Sequence, residues 1–567
     1  MKVVIVGGVA GGASAAARIR RLDERAEIVV FERSGHVSYA NCGLPYYIGG
    51  EIEQESALTL QTPASFRARF QIDVRVRHEV LAIDRSRKVV SVRNLETGEM
   101  AEEAYDKLIL SPGARPIAPD LPGIGSSRLF TLRTVEDAAR IRRYVEQRRP
   151  RTATVIGGGF IGLEMAENLA RRGARVTIVE KMRQLLSPLD EDMASFVHAK
   201  FLKEGVRLAL GSAVTGFEEK GEEILTHMDN REAIAGDMVI LAIGVAPDSH
   251  LAKEAGLELG AAGAIAVDAH MRTSDADIYA VGDAVQCKNG ATGQMARIAL
   301  AGPANKQGRV AADNICGIQS IYRASWGSSV VKLFDMTAAA TGINERAARQ
   351  AGLVYDKVVL SPANHASYYP GGKVMTMKVL YEKGSLRILG AQIVGFDGVD
   401  KRIDVLATAM QAGMRATDLK ELDLAYAPPY SSAKDPVNMA GFMIENLESG
   451  KVKQFHYADL AQLPREKVTL LDTRTPAEVA AGSPEGFLHI PVDALRDRLE
   501  ELDRSKPVYV MCQSGLRSYI ACRILAQHGY DCYNFSGGYR FYESIRNNTF
   551  EENVNTPCGL TVEPGKR

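Results

Sequence analysis

The sequence predicts an α/β protein built on two dinucleotide-binding (Rossmann-like) domains, and three observations predict it. Two glycine-rich turns, Gly7 to Gly12 and Gly157 to Gly162, each follow an apolar strand and open a helix. Each of these units then runs into a second strand that ends in an acid, Glu32 in the first and Glu180 in the second. A later segment, Thr273 to Asp283, places a short strand before Gly282-Asp283, the return expected when one nucleotide domain is inserted in another.

In the first unit, residues 3–6 form a continuous apolar run. Gly7-Gly8-Val9-Ala10-Gly11-Gly12 follows, then a helix from Ala13 to Leu22 and a strand from Glu27 to Phe31. A helix start with free amides holds a pyrophosphate, and an acid at the end of the second strand accepts from a ribose hydroxyl. Gly7, Gly8, Ala10, Gly11, Glu32 and its neighbour Arg33 are therefore candidate cofactor-binding positions. The turn departs from GxGxxG at Val9, where the middle glycine is expected. Asp283 is the candidate ligand for a ribityl chain.

The second turn fits GxGxxG in full: Gly157, Gly159 and Gly162 after the strand Thr152 to Ile156, with Phe160 beside it. The next strand, Arg175 to Val179, ends at Glu180. Two such units form an internal repeat, and each needs a ligand of its own. The pair implies hydride transfer from NAD(P)H to a flavin. Glu180 favours NADH because a carboxylate repels a 2′-phosphate; Lys181 and Arg183 soften that preference and keep NADPH open. Phe160 is a packing residue or a gate to the nicotinamide pocket. Paired strand–glycine exits, 108–114 and 239–244 ending at Gly244, bracket the insertion. These marks place an FAD-binding domain at 1–112 and 245–322 and an NAD(P)H-binding domain at 113–244.

Bulk properties narrow the class. At 567 residues the chain is too long for one core, and 46% hydrophobic with 24% charged residues is the balance of a globular protein. The formal net charge is zero, so nothing argues for nucleic acid or an anionic membrane as partner. The apolar start runs directly into the first turn, and no segment approaches the span of about 20 apolar residues that crosses a bilayer. The expectation is a cytoplasmic protein. Seven cysteines without any CxxC spacing make neither a disulfide framework nor a zinc site, so redox chemistry must run through single thiols.

Cys42 is the candidate. It lies in Ser38-Tyr39-Ala40-Asn41-Cys42-Gly43-Leu44-Pro45, just beyond Glu32. A buried free cysteine is ordinarily a small hydrophobe, but here the segment follows a flavin-binding strand. Reduced flavin would pass electrons to a sulfur–sulfur bond at Cys42, and its thiolate would attack substrate sulfur. Tyr47 stands where dithiol flavin reductases carry a second cysteine, so an external thiol or a sulfur atom must complete the pair. Cys287 and Cys316 read as structural.

The Cys42 segment, the two turns and Gly282-Asp283 together resemble the single-cysteine pyridine nucleotide–disulfide oxidoreductases, and are similar to the coenzyme A-disulfide reductases among them. The resemblance implies that Cys42 forms a mixed disulfide with coenzyme A or accepts sulfane sulfur from a persulfide. Asn41 and Ser38 would line the thiol, while Arg18 and Arg21 would meet coenzyme A phosphates, with Arg67 a less direct match. It implies an α+β dimerisation domain at 323–445, with strands at 331–334 and 373–380 and a helix at 402–414. Tyr368 and Tyr426 would reach over the cysteine of the other subunit of a homodimer and donate a proton to the leaving thiolate. Tyr369 and Tyr430 are the neighbours one register error away.

Residues 446–466 read as a linker of mixed charge. A new α/β domain, 467–560, opens with Val468 to Arg474 and carries the strand 507–511 into Cys512-Gln513-Ser514-Gly515-Leu516-Arg517-Ser518, followed by a helix through Leu525. A cysteine at the start of such a loop faces backbone amides and a helix N-terminus, which favour a thiolate and a bound persulfide anion. Arg517 would neutralise an anionic donor. The pattern resembles a single rhodanese domain; a cysteine phosphatase is the rival, with a silent docking domain behind it. Asp472 and Arg474 read as a fold-supporting ion pair, and Cys522, Cys532 and Cys558 as packing or tail.

The whole resembles rhodanese-fused coenzyme A-disulfide reductases, a group that includes NADH-dependent persulfide and polysulfide reductases. The expected activity is FAD-dependent, NADH-driven reduction of a persulfide such as CoA persulfide, or of polysulfide, to sulfide and thiol through Cys42, with sulfur handled at Cys512. The alternative is reduction of CoA disulfide with an accessory rhodanese domain. Water-forming NADH oxidase, NADH peroxidase and a redox sensor without turnover rank behind these.

Overall fold

The structure is a computed structural model and describes residues 1–550. The chain divides into two compact units. The first holds Met1–Leu185 and Gly205–Gly327; the second holds Leu186–Glu204 and the residues from Ser328 onward. No helix among the described residues is long and apolar enough to cross a membrane.

The first unit contains both nucleotide sheets. One is a five-stranded sheet in which Lys2–Val6 lies between Glu27–Glu32 and Lys107–Leu110, all parallel, with Asp73–Val76 and Ile278–Ala280 at the edges. Strands covered on both faces must be apolar throughout, and Val3 to Val6 are all buried. Ile278–Ala280 pairs with Leu108 to Leu110, so the segment before Gly282-Asp283 does return to the first sheet. The second sheet repeats the plan: Thr152–Ile156 lies between Arg175–Glu180 and Met238–Leu241. Ala114–Pro116 pairs antiparallel with Val245–Pro247 and closes the crossing between the two sheets.

The second unit holds two sheets of opposite character. One is antiparallel, in the order Ser329–Leu333, Met336–Gly342, Ile388–Gly395, Thr376–Glu382, Tyr355–Leu360, with the helix Val399–Gln411 against it. The other is parallel, in the order Lys453–Phe455, Cys532–Phe535, Val508–Met511, Thr469–Asp472, Leu488–His489.

Two segments bear on the expected boundaries. The helix Glu191–Lys203 falls inside the expected nucleotide segment 113–244, yet it belongs to the second unit. It lies between two strands of the second sheet in sequence and so has the position of an ordinary crossover helix. Its nine residues from Met193 to Phe201 are all buried, and Phe196 stacks on Phe541 at 6.3 Å. Asp190 and Asp192 at its start bind the fully buried ammonium of Lys378 at 2.9 and 2.8 Å, with Glu345 as the third carboxylate. The second is 446–466: Lys453–Phe455, within the expected linker, is the edge strand of the parallel sheet and pairs with Tyr533 to Phe535. The expected end of that domain, to 560, and Cys558 lie outside the described residues.

Candidate active site

The two glycine turns are built alike. Gly7 and Gly157 take positive φ values of 95° and 108°, the left-handed region that glycine enters without strain. A Cβ on Gly12 would lie 1.9 Å from the carbonyl oxygen of Gly7, and one on Gly162 would lie 2.0 Å from that of Gly157. The position between them is different: a Cβ on Gly159 meets nothing within 4 Å. The fold therefore accepts a side chain there, which explains why Val9 can stand at that place in the first turn. Gly11 has a packing role. Gly308, on the helix Ala301–Ile315, comes so close that a Cβ on it would lie 2.3 Å from the oxygen of Gly11. That helix crossing is not legible in the sequence pattern; Gly308 in an alanine-rich helix is its one sequence signal.

Both strand-end acids face their turns. Glu32 accepts from the amides of Gly8 at 2.9 Å and Ser34 at 2.8 Å. Glu180 accepts from Gly158 at 2.6 Å and Met182 at 2.8 Å. The helices Ala10–Leu22 and Phe160–Arg171 have no side-chain cap and no acid in their first turns. Their starting amides face no built-in anion, the arrangement that suits a pyrophosphate. Ala10 and Phe160 are the first residues of these helices. Gly244, at φ 117°, ends the second sheet's central crossing.

Ser38 adopts a left-handed φ of 49°, with its amide on Gly8 O at 2.8 Å and its carbonyl taken by Leu60 N–H at 3.0 Å. This bend leads the chain from the first turn into the short helical turn Asn41–Gly43, which carries Cys42. The buried Oδ1 of Asn41 has no hydrogen-bond partner among the described residues. An unmet acceptor and two uncapped helix starts are the marks of sites shaped for a ligand. Cys42 is exposed as a residue. Enough protein nevertheless surrounds its thiol that burial, then the carboxylates of Glu164 and Asp283, push its pKa up, with Arg133 pulling the other way. Asp283 is held by Arg133 at 3.1 Å.

Glu164 escaped the sequence reading. It sits on the second turn's helix and accepts from Tyr46 Oη at 3.2 Å, just beyond the Cys42 turn. Burial pushes its carboxyl up to about 7; the Tyr46 bond opposes this and Glu167 adds to it. Two of the candidate arginines are already paired: Arg18 with Asp313 at 2.7 Å and Arg33 with Asp248 at 3.0 Å. Arg21 is exposed at the end of the first helix.

In the second unit, Tyr368 and Tyr426 meet. Their hydroxyls lie 2.7 Å apart although both side chains are exposed, at 73% and 46%. Tyr369 instead packs edge-on against His365 at 5.6 Å, and Tyr430 is exposed. Arg402 sets the loops that carry this pair, another role the sequence did not disclose. Its buried guanidinium binds Asp435 at 2.9 Å and the carbonyls of Asn364 and Tyr430 at 3.0 and 3.2 Å.

Cys512 is fully buried at the end of the strand Val508–Met511. Its Sγ accepts from the amide of Gly515 at 3.1 Å. The start of the helix Gly538–Asn547 fixes the loop from behind: Tyr539 N–H binds Cys512 O at 2.7 Å and Arg540 N–H binds Gln513 O at 3.1 Å. Only a glycine fits at 538, since a Cβ there would lie 2.6 Å from the amide of Ser514. Arg517 is not an open cation, however; both of its terminal nitrogens hold Glu478, at 2.8 and 2.6 Å. Asp472 and Arg474 form the expected buried pair at 2.8 Å. A cavity of about 880 Å³ adjoins the loop, lined by Gln513 to Arg517, by Met439, Phe442 and Met443, and by Ser367 and Ser432 near the tyrosine loops.

Comparison with known proteins places this geometry. The pyridine nucleotide-disulphide oxidoreductase model matches residues 1–308, its dimerisation domain matches 328–436, and the rhodanese-like domain matches 457–544. The chain belongs to the pyridine nucleotide-disulphide oxidoreductases. It is 36% identical over 442 residues to the coenzyme A disulfide reductase of Staphylococcus aureus, covering 78% of this chain and 99% of that protein. Among solved structures it is similar to reduced Bacillus anthracis CoADR-RHD, with a TM-score of 0.94 and 47% identity over 96% of this chain and 98% of that one. A NAD-dependent persulfide reductase from A. fulgidus gives a TM-score of 0.91 and 39% identity, over 96% and 100% of the two chains. The water-forming NADH oxidase of Lactobacillus brevis gives 0.77 and 29% over 80% of this chain and 99% of that one, so it lacks a counterpart for part of the chain. Membership in this oxidoreductase family brings FAD and NAD(P)H as redox groups, and the dimerisation-domain match points to a homodimer.

Proposed function

We propose that this oxidoreductase uses NADH and FAD to reduce sulfane sulfur, carried as CoA persulfide or polysulfide, to sulfide and thiol at Cys42. The observation that carries the proposal is the presence, in one chain, of a flavin-type cysteine turn without a second thiol and of a rhodanese-type loop around Cys512. A similar structure that matches 96% of this chain and is named a NAD-dependent persulfide reductase supports it.

Bound FAD would pass the two electrons of NADH to a sulfur–sulfur bond at Cys42. The residues supply the rest. Gly7, Gly8 and the amides that open the first helix hold a pyrophosphate, with Glu32 beside it and Asp283 at the return strand. Gly157, Gly159 and Gly162 do the same in the second unit, and the carboxylate of Glu180 favours NADH over NADPH. The Cys42 thiolate attacks the outer sulfur of a persulfide; a Cys42–sulfur bond forms, the donor's S–S bond breaks, and the thiol portion leaves with the electron pair. Asn41 and Ser38 orient the thiol. Tyr368 and Tyr426 of the other subunit donate a proton to the leaving thiolate, a role their shared hydrogen bond supports. Arg18, Arg21 and Arg33 serve coenzyme A or nucleotide phosphates, which must compete with Asp313 for Arg18 and with Asp248 for Arg33. Cys512 loads sulfur, and the cavity of about 880 Å³ beside it, with its wall of Met439, Phe442 and Met443, supports a carrier with an extended arm. The domain limits proposed are those of the sequence, with the C-terminal domain starting at about 453.

The test offers CoA persulfide, inorganic polysulfide, CoA disulfide and hydrogen peroxide separately and follows NADH oxidation. Efficient turnover with the first two supports the proposal. Efficient turnover of CoA disulfide alone favours the second reading, a coenzyme A-disulfide reductase like its Staphylococcus relative.

A further inference from the structure

We infer that Ser518 is a further catalytic group of the C-terminal site, donating a hydroxyl hydrogen bond to the Cys512 thiolate whenever sulfur is taken up or handed on. This rests on the sulfur-transfer reading of that domain. Ser518 is wholly buried, and its Oγ lies 3.2 Å from Cys512 Sγ. The same Oγ lies 3.2 Å from the carbonyl oxygen of Gly515, and one hydroxyl proton cannot serve both. The carbonyl has other donors: Asn534 Nδ2 at 3.2 Å and the amide of Tyr519 at 3.1 Å. The Ser518 proton is therefore spare, and the sulfur is its remaining acceptor.

The chemistry fixes when that bond counts. In loading, the Cys512 thiolate attacks the outer sulfur of a donor R–S–SH. The Sγ–S bond forms, the donor S–S bond breaks, and RS⁻ leaves with the electron pair. Charge leaves Sγ, and the Ser518 hydrogen bond to it weakens. In discharge an acceptor thiolate takes the outer sulfur, charge returns to Sγ, and that hydrogen bond strengthens again. The hydroxyl thus stabilises the attacking thiolate in one direction and the leaving thiolate in the other. The charged or titratable groups around the loop are the Arg517–Glu478 and Arg474–Asp472 pairs, Arg540 and the Cys522–Cys532 thiols. All remain in the variants, so comparing variants isolates the hydroxyl.

The experiment uses the full-length holoenzyme as wild type, Ser518→Ala, Ser518→Gly and Ser518→Thr. Alkylation of Cys512 by iodoacetamide is followed against pH by mass spectrometry, and sulfur loading by the mass gained from inorganic polysulfide. Losing one hydrogen bond to a thiolate should move the alkylation profile up by about one pH unit and slow loading about tenfold near neutrality in the Ala and Gly variants. The Thr variant should track wild type. Superimposable profiles, a uniform slowing without displacement, or a Thr variant as slow as Ala would each overturn the inference. If wild-type Cys512 gains no sulfur, the sulfur-transfer reading fails and takes this inference with it. If wild type loads and the hydroxyl-free variants load as fast, the inference alone fails.

Discussion

Arg517 can attract an anionic sulfur donor only as far as Glu478 lets it. The two side chains form a bidentate pair at 2.8 and 2.6 Å, 9% and 26% exposed. An anion approaching the Cys512 loop therefore meets a pair of zero net charge. Burial alone would raise the Glu478 carboxyl, but the Arg517 guanidinium and the bonds from Thr475 together outweigh it and hold the carboxyl below the usual glutamate range. Glu478→Gln removes the charge while keeping an acceptor for the Thr475 amide, which Glu478 caps at 2.8 Å. A unit charge about 5 Å from the donor, at an effective dielectric near 20, contributes about 3 kcal/mol, and salt reduces this to about 1.5–3 kcal/mol. That corresponds to roughly a tenfold to hundredfold gain in affinity. Sulfur loading of Cys512 in the full-length enzyme should show KM for a polysulfide dianion falling by at least about tenfold, with KM for an uncharged organic trisulfide unchanged within about twofold. If both donors respond alike, or neither responds, Arg517 does not select donors by charge.

Other outcomes follow from the same geometry. Lys378→Met leaves Asp190, Asp192 and Glu345 clustered without their central ammonium, and denaturant unfolding should lose about 3–5 kcal/mol. Burial would raise the Glu345 carboxyl, but Lys378 and Lys357 hold it down to about 2, so in wild type its contribution is complete above its unfolded value and fades only as pH falls through about 2. Without Lys378 burial dominates, and the deficit should shrink between about pH 7 and about pH 5; a deficit indifferent to pH contradicts the cluster's role. Glu180→Ala should shift the kcat/KM ratio toward NADPH by about tenfold, since it removes the carboxylate that repels a 2′-phosphate. Gly308→Ala drives a methyl to within 2.3 Å of Gly11 O and should strip flavin on purification, seen as a fallen ratio of flavin to protein absorbance. An unchanged ratio would mean that the helix crossing yields without disturbing the site.

What the sequence disclosed and what it hid have a common cause. Gly12 and Gly162 are legible because a Cβ there would strike the carbonyl oxygens of Gly7 and Gly157, so the constraint lies within a few positions of chain. The Cys512 loop is legible as one continuous run of chain, whereas Gly538 is held to glycine by Gln513 and Ser514, far from it in sequence. What stayed hidden depends on partners far apart in sequence. Glu478 lies 39 residues from Arg517, and nothing local shows that it offsets the guanidinium. Tyr368 and Tyr426 are 58 residues apart, and resemblance selects them over Tyr369 and Tyr430 without any sign of their hydrogen bond. The helix Glu191–Lys203 follows the sequence pattern of a crossover, and only the burial of its whole circumference reveals its other allegiance. Lys453–Phe455 stays hidden because an edge strand of three residues carries too short a pattern to read.

The decisive measurement is sulfide released per NADH consumed, with CoA persulfide as substrate, for wild type and for Cys42→Ser at equal flavin content. The account predicts one sulfide per NADH in wild type and a fall to the uncatalysed level in the variant, because no other thiol among the described residues lies on the flavin-domain turn. Undiminished sulfide release from the serine enzyme would contradict it.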